Sequence, residues 1–307
     1  MSILLIAPNR DENVWKNAFN AFDSNLKVFT SNQKFDNDSI DCVVVWNHPS
    51  GILKKFKNLR LIYSMGAGVD HIFNDKYLPK DVPICKIVDS RLSFSMSNYI
   101  IMAVLNYHRK FYKYEHDRSF KIWDQVSPPE IDIKIGILGF GILGQDAGLK
   151  LKNLGFDVMG YSLRKKKSSK IKIYHSNELN IFLSKINILI CTVPYTNQTH
   201  GLLNSKLFNK LKYPTYLINV SRGKVHVEND IKNSLESGQL TGAFLDVFEN
   251  EPLPKSSFIW NHKNIHITPH IASITNVKAV IPQVVENYTR LLNGKKLLNL
   301  VHSERMY

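Results

Sequence analysis

Apolar residues along this chain fall into short β-branched blocks, separated by stretches in which they recur at helical spacing. The first block, "SILLIAP", precedes a helical run through Val14, Phe19 and Phe22. "LKVFT", "DCVVVW", "LRLIYSMGAG" and "PICKIVDS" follow as four further strands. Blocks of this length, apolar throughout and alternating with helices, predict a parallel sheet covered on both faces. Residues 93–123 change the pattern to one long helical stretch rich in aromatic and charged side chains, and "VSPPEID" breaks it with a double proline. A second series then runs through "KIGILGF", a helix to Asn153, "FDVMGYS", a turn, "INILICTVP", "TYLINVS", "GAFLDVF" and "IHITPH". A final helix is predicted from about Thr275 to Leu292. The fold class expected is α/β: two doubly wound parallel-sheet domains with a cleft between them. Residues 1–97 with 285–307 are expected to form the smaller domain, and residues 98–284 the larger.

The 307 residues, 44% of them hydrophobic, suffice for two such cores, and 21% charged residues without a long low-complexity tract argue against disorder. A net charge of +14 would suit a nucleic-acid partner, but the lysines are spread from end to end and no recognition motif accompanies them. No nucleic acid is expected. Cys42, Cys85 and Cys191 each sit in an apolar, strand-like run and form no C-x-x-C pair, which predicts reduced, buried thiols and no metal site. "MSILLIAP" is too short for a signal peptide or a membrane span, so the expectation is a cytoplasmic protein without membrane contact.

Chemistry enters at "LGFGILG". Gly139, Gly141 and Gly144 have G-x-G-x-x-G spacing directly after a strand and at the start of a helix, the context that makes this motif informative. The first glycine permits the tight turn, the second lets a pyrophosphate approach the backbone, and the third lets helix and strand pack. Ile142 and Leu143 would then offer unpaired N–H groups to the anion. In the NAD version of this fold a carboxylate ends the second strand and binds the ribose. Here the place holds "SLRKKKSSK". Ser162, Arg164 and Lys165 are suited instead to the 2′-phosphate of NADP(H), with NAD(H) the weaker alternative. Lys166, Lys167 and Lys170 are expected at the surface. Val193, Pro194 and Val220 end later strands and join the cofactor-binding set.

Three residues that follow predicted strands belong together: Arg222 in "NVSRGK", Glu251 in "FENEPLP" and His270 in "ITPHIAS". Strand ends at the carboxyl edge are where ligands bind in open α/β sheets. Reduction of a ketoacid needs a cation for the carboxylate, which the guanidinium fork of Arg222 suits. It also needs a proton donor, which suits His270, with Glu251 beside it to keep the proton on the ring. Asp246 could accept a hydrogen bond from the nicotinamide carboxamide. In the first domain Met65, Gly66, Ala67 and Gly68 would present backbone N–H groups suitable for a carboxylate. Trp46 and His48 are placed near the same mouth, where packing is favoured over contact.

By their order and spacing "GAGVDHI", "LGFGILG", "VPYTNQTHGLLN", "INVSRGK", "GAFLDVFENEPLP" and "TPHIAS" resemble the D-isomer-specific 2-hydroxyacid dehydrogenases over nearly the whole chain. Within that family "VVVWNHP", "SMGAGVDHI", the basic "SLRKKK" turn and the tail ending in Tyr307 look like the short glyoxylate/hydroxypyruvate reductases of the bacterial A type. The resemblance implies a Rossmann cofactor domain beside a smaller flavodoxin-like substrate domain. It implies Arg222, Glu251 and His270 as the catalytic set, with His270 the proton donor. It further implies Asp246 on the nicotinamide, the loop 65–68 on the carboxylate, and a homodimer through residues 98–123. The activity implied is NADPH-dependent reduction of glyoxylate to glycolate and of hydroxypyruvate to D-glycerate, or of another 2-ketoacid. Corepressors that resemble these enzymes bind the cofactor without turnover and supply the alternative reading. Two positions depart from the pattern: Asn98, where relatives often carry Glu, and Ser221, where alanine is commoner. Glu251 argues against formate dehydrogenases, which pair the histidine with glutamine, and no extension beyond the core suggests a long phosphoglycerate dehydrogenase.

Overall fold

The computed structural model describes residues 1–165 and 170–302, with the side chain of Ser90 set aside. Lys166, Lys167 and Tyr307, singled out above, lie outside the described residues. The chain divides into two compact units, Met1–Leu92 with the segment from Thr275 onward, and Ser93–Ile274.

In the first unit the apolar blocks form β1 (Ser2–Ile6), β2 (Lys27–Thr30), β3 (Cys42–Val45), β4 (Leu61–Ser64) and β5 (Ile84–Cys85), a parallel sheet in the order β2-β1-β3-β4-β5. Order 2-1-3-4-5 is that of the flavodoxin-like folds. One face is covered by the helix Glu12–Phe22 and by the helix Val277–Leu292 from the far end of the sequence. Trp15 and Phe19 of one pack in the same core as Val280, Ile281, Val284 and Tyr288 of the other. The later helix therefore belongs to this unit from its first turn, and the return of the chain falls near 275, ten residues earlier than the pattern suggested.

The second unit carries β6 (Lys134–Leu138), β7 (Asp157–Ser162), β8 (Lys172–His175), β9 (Ile188–Cys191), β10 (Thr215–Asn219), β11 (Leu240–Leu245) and β12 (Ile265–Ile267). All pairings are parallel, in the order β12-β11-β10-β9-β6-β7-β8. The order reverses between β6 and β9, and that switch point is where doubly wound sheets bind dinucleotides. Strand β8 was not expected. It is an edge strand in which only Tyr174 is buried, so "KIYH" lacks the continuous apolar run of its neighbours. The aromatic stretch is also corrected: it forms two helices, Ser90–His108 and Phe111–Ser119, parted where Lys110 adopts φ +55. The second helix stops before Trp123.

All three cysteines are buried and unpaired, and burial pushes the Cys191 thiol up to about 11 and Cys85 to about 12. Among the described residues, no helix is long and apolar enough to cross a membrane.

Candidate active site

Strand β6 runs into the glycine turn at the switch point. Gly139 has φ +99, and a Cβ there would lie 2.7 Å from Val193 N, so both conformation and space require glycine. At Gly144 an added Cβ would meet the Gly139 carbonyl oxygen at 2.6 Å, which sets the close packing of the helix Ile142–Asn153 on β6. Gly141 differs. A Cβ there meets nothing within 4 Å, so the protein itself makes no demand for glycine at this point. A phosphate lying against the backbone would make one. Gly141 is also the helix N-cap without a side-chain bond, and the N–H groups of Ile142 and Leu143 have no partner among the described residues. The turn thus fits a dinucleotide pyrophosphate. Val193 and Val220 are buried and Pro194 is exposed.

Beside it β7 ends at Ser162, in register with His175 of β8. Ser176 Oγ donates to the Leu163 carbonyl at 3.0 Å, and His175 Nδ1 donates to that of Arg164 at 3.0 Å. Tyr161 Oη in turn donates to the Ser176 carbonyl at 2.8 Å. These bonds pin the turn to the sheet, with Ser162 half-buried and Arg164 and Lys165 exposed. Among the described residues that follow β7, Leu163 to Lys165, none is a carboxylate.

Arg222, Glu251 and His270 leave the carboxyl ends of the adjacent strands β10, β11 and β12. His270 Nδ1 and Glu251 Oε2 are 2.7 Å apart, and Glu251 Oε1 accepts the Phe248 N–H at 3.0 Å. Burial pushes the Glu251 carboxyl up, but the bond and charge of His270, the Phe248 N–H and the charge of Arg222 outweigh it. The group is held below the usual range. With Nδ1 engaged, the ring's other nitrogen, Nε2, is the one left to meet a substrate. Arg222 Nη1 donates to the Ser221 carbonyl at 2.7 Å. A Cβ on Gly223 would fall 1.7 Å from the Phe248 carbonyl oxygen, so the turn after Arg222 lies directly against the segment leading to Glu251.

Asp246, 1% exposed, fixes the loop that presents His270. Its Oδ1 accepts Thr268 Oγ1 at 2.6 Å and the Ile271 N–H at 2.8 Å, and its Oδ2 accepts the Ala272 N–H at 2.8 Å. Its carbonyl takes the His270 N–H at 2.9 Å. His270 itself adopts φ +54, a conformation costly for a residue other than glycine unless its surroundings hold it there. Because Thr268 donates to Asp246, its oxygen must accept from Tyr99, whose hydroxyl it touches. Burial raises the Asp246 pKa, and the Thr268 and backbone donors only partly offset this.

In the first unit the loop 65–68 follows β4. Met65 is buried and its N–H pairs with the Val45 carbonyl, while the Gly66 N–H goes to Ser64 Oγ at 3.2 Å. Only the Ala67 and Gly68 N–H groups are without a partner among the described residues. The Asn47 N–H donates to His71 Nδ1 at 3.3 Å, so His71 carries its proton on Nε2 and gives it to Ser64 Oγ at 3.1 Å. Trp46 packs on His71, and a Cβ on Gly66 would touch its ring at 2.6 Å. His48 is buried, with Nε2 3.3 Å from Asp75 Oδ2.

Sequence reasoning missed Tyr99, Thr268 and His175, each of which makes a hydrogen bond to a neighbour at the site, and also the buried Asn219. A polar residue closing an apolar block, as Asn219 does in "TYLIN", was the one available signal.

Residues 101–272 match the model of the D-isomer specific 2-hydroxyacid dehydrogenase NAD-binding domain. The glyoxylate/hydroxypyruvate reductase A of Yersinia enterocolitica is 34% identical over 279 residues, 89% of each chain. That of Serratia proteamaculans is 36% identical over 270 residues, 86% of each. Among solved structures, the NADPH-dependent glyoxylate/hydroxypyruvate reductase of Sinorhizobium meliloti in complex with NADP and sulfate superposes with a TM-score of 0.94. It is 33% identical, with 100% of both chains covered. A D-isomer specific 2-hydroxyacid dehydrogenase from Xanthobacter autotrophicus in complex with NADPH and MES gives 0.93 at 33% identity, covering 100% of this chain and 99% of that one. With the nicotinamide-dinucleotide fold and the strand-end residues in place, the chain belongs to the D-isomer-specific 2-hydroxyacid dehydrogenase family of oxidoreductases.

Proposed function

We propose that this protein reduces small 2-ketoacids with NADPH, glyoxylate to glycolate and hydroxypyruvate to D-glycerate. The observation that carries the reading is the His270–Glu251 pair at 2.7 Å, with Arg222 leaving the neighbouring strand end. Bound NADPH supplies the hydride. Arg222 holds the substrate carboxylate. His270 delivers the Nε2 proton to the carbonyl oxygen as negative charge develops there. Glu251, ionised, balances the imidazolium and fixes its orientation, and Asp246 holds the loop from which His270 projects. The glycine turn and the first N–H groups of the helix Ile142–Asn153 bind the pyrophosphate. Ser162, Arg164 and Lys165 take the 2′-phosphate, supported by the absence of a carboxylate at the end of β7 and by the NADP(H)-bound relatives.

The protein acts as a cytoplasmic homodimer in this reading, joined through residues 98–123. Trp123, 86% exposed, and Phe120, 65% exposed, are the apolar side chains that support such a contact. The test of the mechanism is His270→Ala. It should lower kcat by about 10²–10⁴, the usual worth of a positioned acid, with NADPH affinity retained. A variant that keeps most of its turnover removes His270 from the proton-transfer step.

A further inference from the structure

Asn219 is the last residue of β10 and is completely buried. Its amide orientation is determined twice over. The Ser221 N–H, which can only donate, lies 3.0 Å from Oδ1, and the Arg222 carbonyl, which can only accept, lies 3.3 Å from Nδ2. Ser221 Oγ adds a second donor to Oδ1 at 2.7 Å. The Nδ2 group then meets His226 Nδ1 at 2.8 Å. Since Nδ2 has only hydrogens to offer, Nδ1 must accept, and the His226 proton resides on Nε2. That nitrogen has no hydrogen-bond partner among the described residues and faces Glu228 Oε1 at 3.9 Å.

His226 is itself held in place. It is 1% exposed, its N–H donates to the Gly223 carbonyl at 2.9 Å, and it bridges to Leu203. Glu228 is anchored in turn, because its backbone N–H and carboxylate exchange bonds with Glu249 at 2.8 and 2.9 Å. The imidazole is therefore a fixed acceptor behind the turn that carries Arg222.

We propose that His226, as its neutral Nε2–H tautomer, is a positioning residue for Arg222. It acts through Asn219: the Nδ1 acceptor holds the amide, and the amide holds the backbone of Ser221 and Arg222. Without that acceptor a buried N–H is left unsatisfied, and the amide can regain a partner only by releasing the turn. The inference rests on the reading of Arg222 as the carboxylate anchor.

The side chains that can replace His226 make the test specific. Asn places an acceptor oxygen where Nδ1 stands, Gln places its polar atoms where Nε2 stands, and Leu has none. His226→Leu and His226→Gln should each raise KM for the 2-ketoacid by about tenfold, with KM for NADPH unchanged and kcat reduced less. His226→Asn should restore most of the loss. In the unsubstituted protein, two-bond ¹H–¹⁵N correlation spectra should show the His226 signals with Nδ1 bare and Nε2 protonated, identified by their disappearance in His226→Asn. That spectrum decides even if the leucine variant does not fold. A proton on Nδ1, unchanged ketoacid KM in the leucine and glutamine variants, or equal losses in all three substitutions would each overturn the proposal. Arg222→Gln is measured alongside. If it leaves ketoacid KM unmoved, the anchor reading fails, whereas a rise there without one in His226→Leu or His226→Gln sinks only the role of His226.

Discussion

Glu251→Gln should remove most of the turnover while leaving the fold nearly intact. The carboxylate divides its oxygens between two donors, Oε1 to the Phe248 N–H at 3.0 Å and Oε2 to His270 Nδ1 at 2.7 Å. Glutamine retains one oxygen. The Phe248 N–H can only donate and so claims it, which turns the NH₂ toward Nδ1. Nδ1 must then accept, and a ring protonated on Nε2 alone could give up that proton only by becoming an imidazolate. The whole contribution of a positioned acid is lost, about 10²–10⁴ in kcat or about 3–5 kcal/mol of barrier. Stability should change little, because the His270 and Glu251 side chains are 33% and 35% exposed. An ion pair so placed contributes only about 0–1 kcal/mol. The assay is NADPH oxidation at 340 nm with saturating ketoacid, beside a thermal melt. A kcat within about threefold of the unsubstituted enzyme, a change too small for loss of a general acid, would mean that His270 does not depend on Glu251 for its proton.

Arg164→Ala should raise KM for NADPH by about tenfold or more, the worth of a charge-assisted bond to phosphate, and leave KM for NADH unmoved. Equal effects on both cofactors would detach Arg164 from the 2′-phosphate. Gly160→Ala would set a Cβ 2.5 Å from the buried Phe140 ring, and overpacking of this kind costs about 1–3 kcal/mol. The melt should fall by about 2–4 °C for each kcal/mol, and an unchanged Tm would contradict the packing described. His266 lies against the ring of Tyr112, and burial lowers its pKa to about 4. The unfolded chain takes up this proton below about pH 6.5, so stability should fall as pH drops from there toward the folded value and stay flat above. His266→Gln should flatten that slope, and a slope that survives the substitution lies with other groups.

The parallel strands were legible because a strand covered on both faces must be apolar along its length, as "DCVVVW" and "INILIC" are. Strand β8 escaped because, at the edge of the sheet, it buries only Tyr174 and so shows no apolar run. The helix break at Lys110 escaped because its left-handed conformation falls on a residue that carries no turn signal. Arg222, Glu251 and His270 could be picked out as a set because each follows a strand, and parallel strands bring such positions to one edge. The groups behind them could not. Tyr99 and Thr268 are 169 positions apart, and nothing in the apolar pattern records a hydrogen bond over that distance. His226 has no periodic signature, and its tautomer follows only from the orientation of Asn219.

NADPH-dependent reduction of small 2-ketoacids is read out by the rate of NADPH oxidation, set against that of NADH, with glyoxylate and with hydroxypyruvate as substrates. Turnover of both ketoacids, with kcat/KM for NADPH far above that for NADH, is the predicted result. Cofactor binding without turnover of either ketoacid would contradict it.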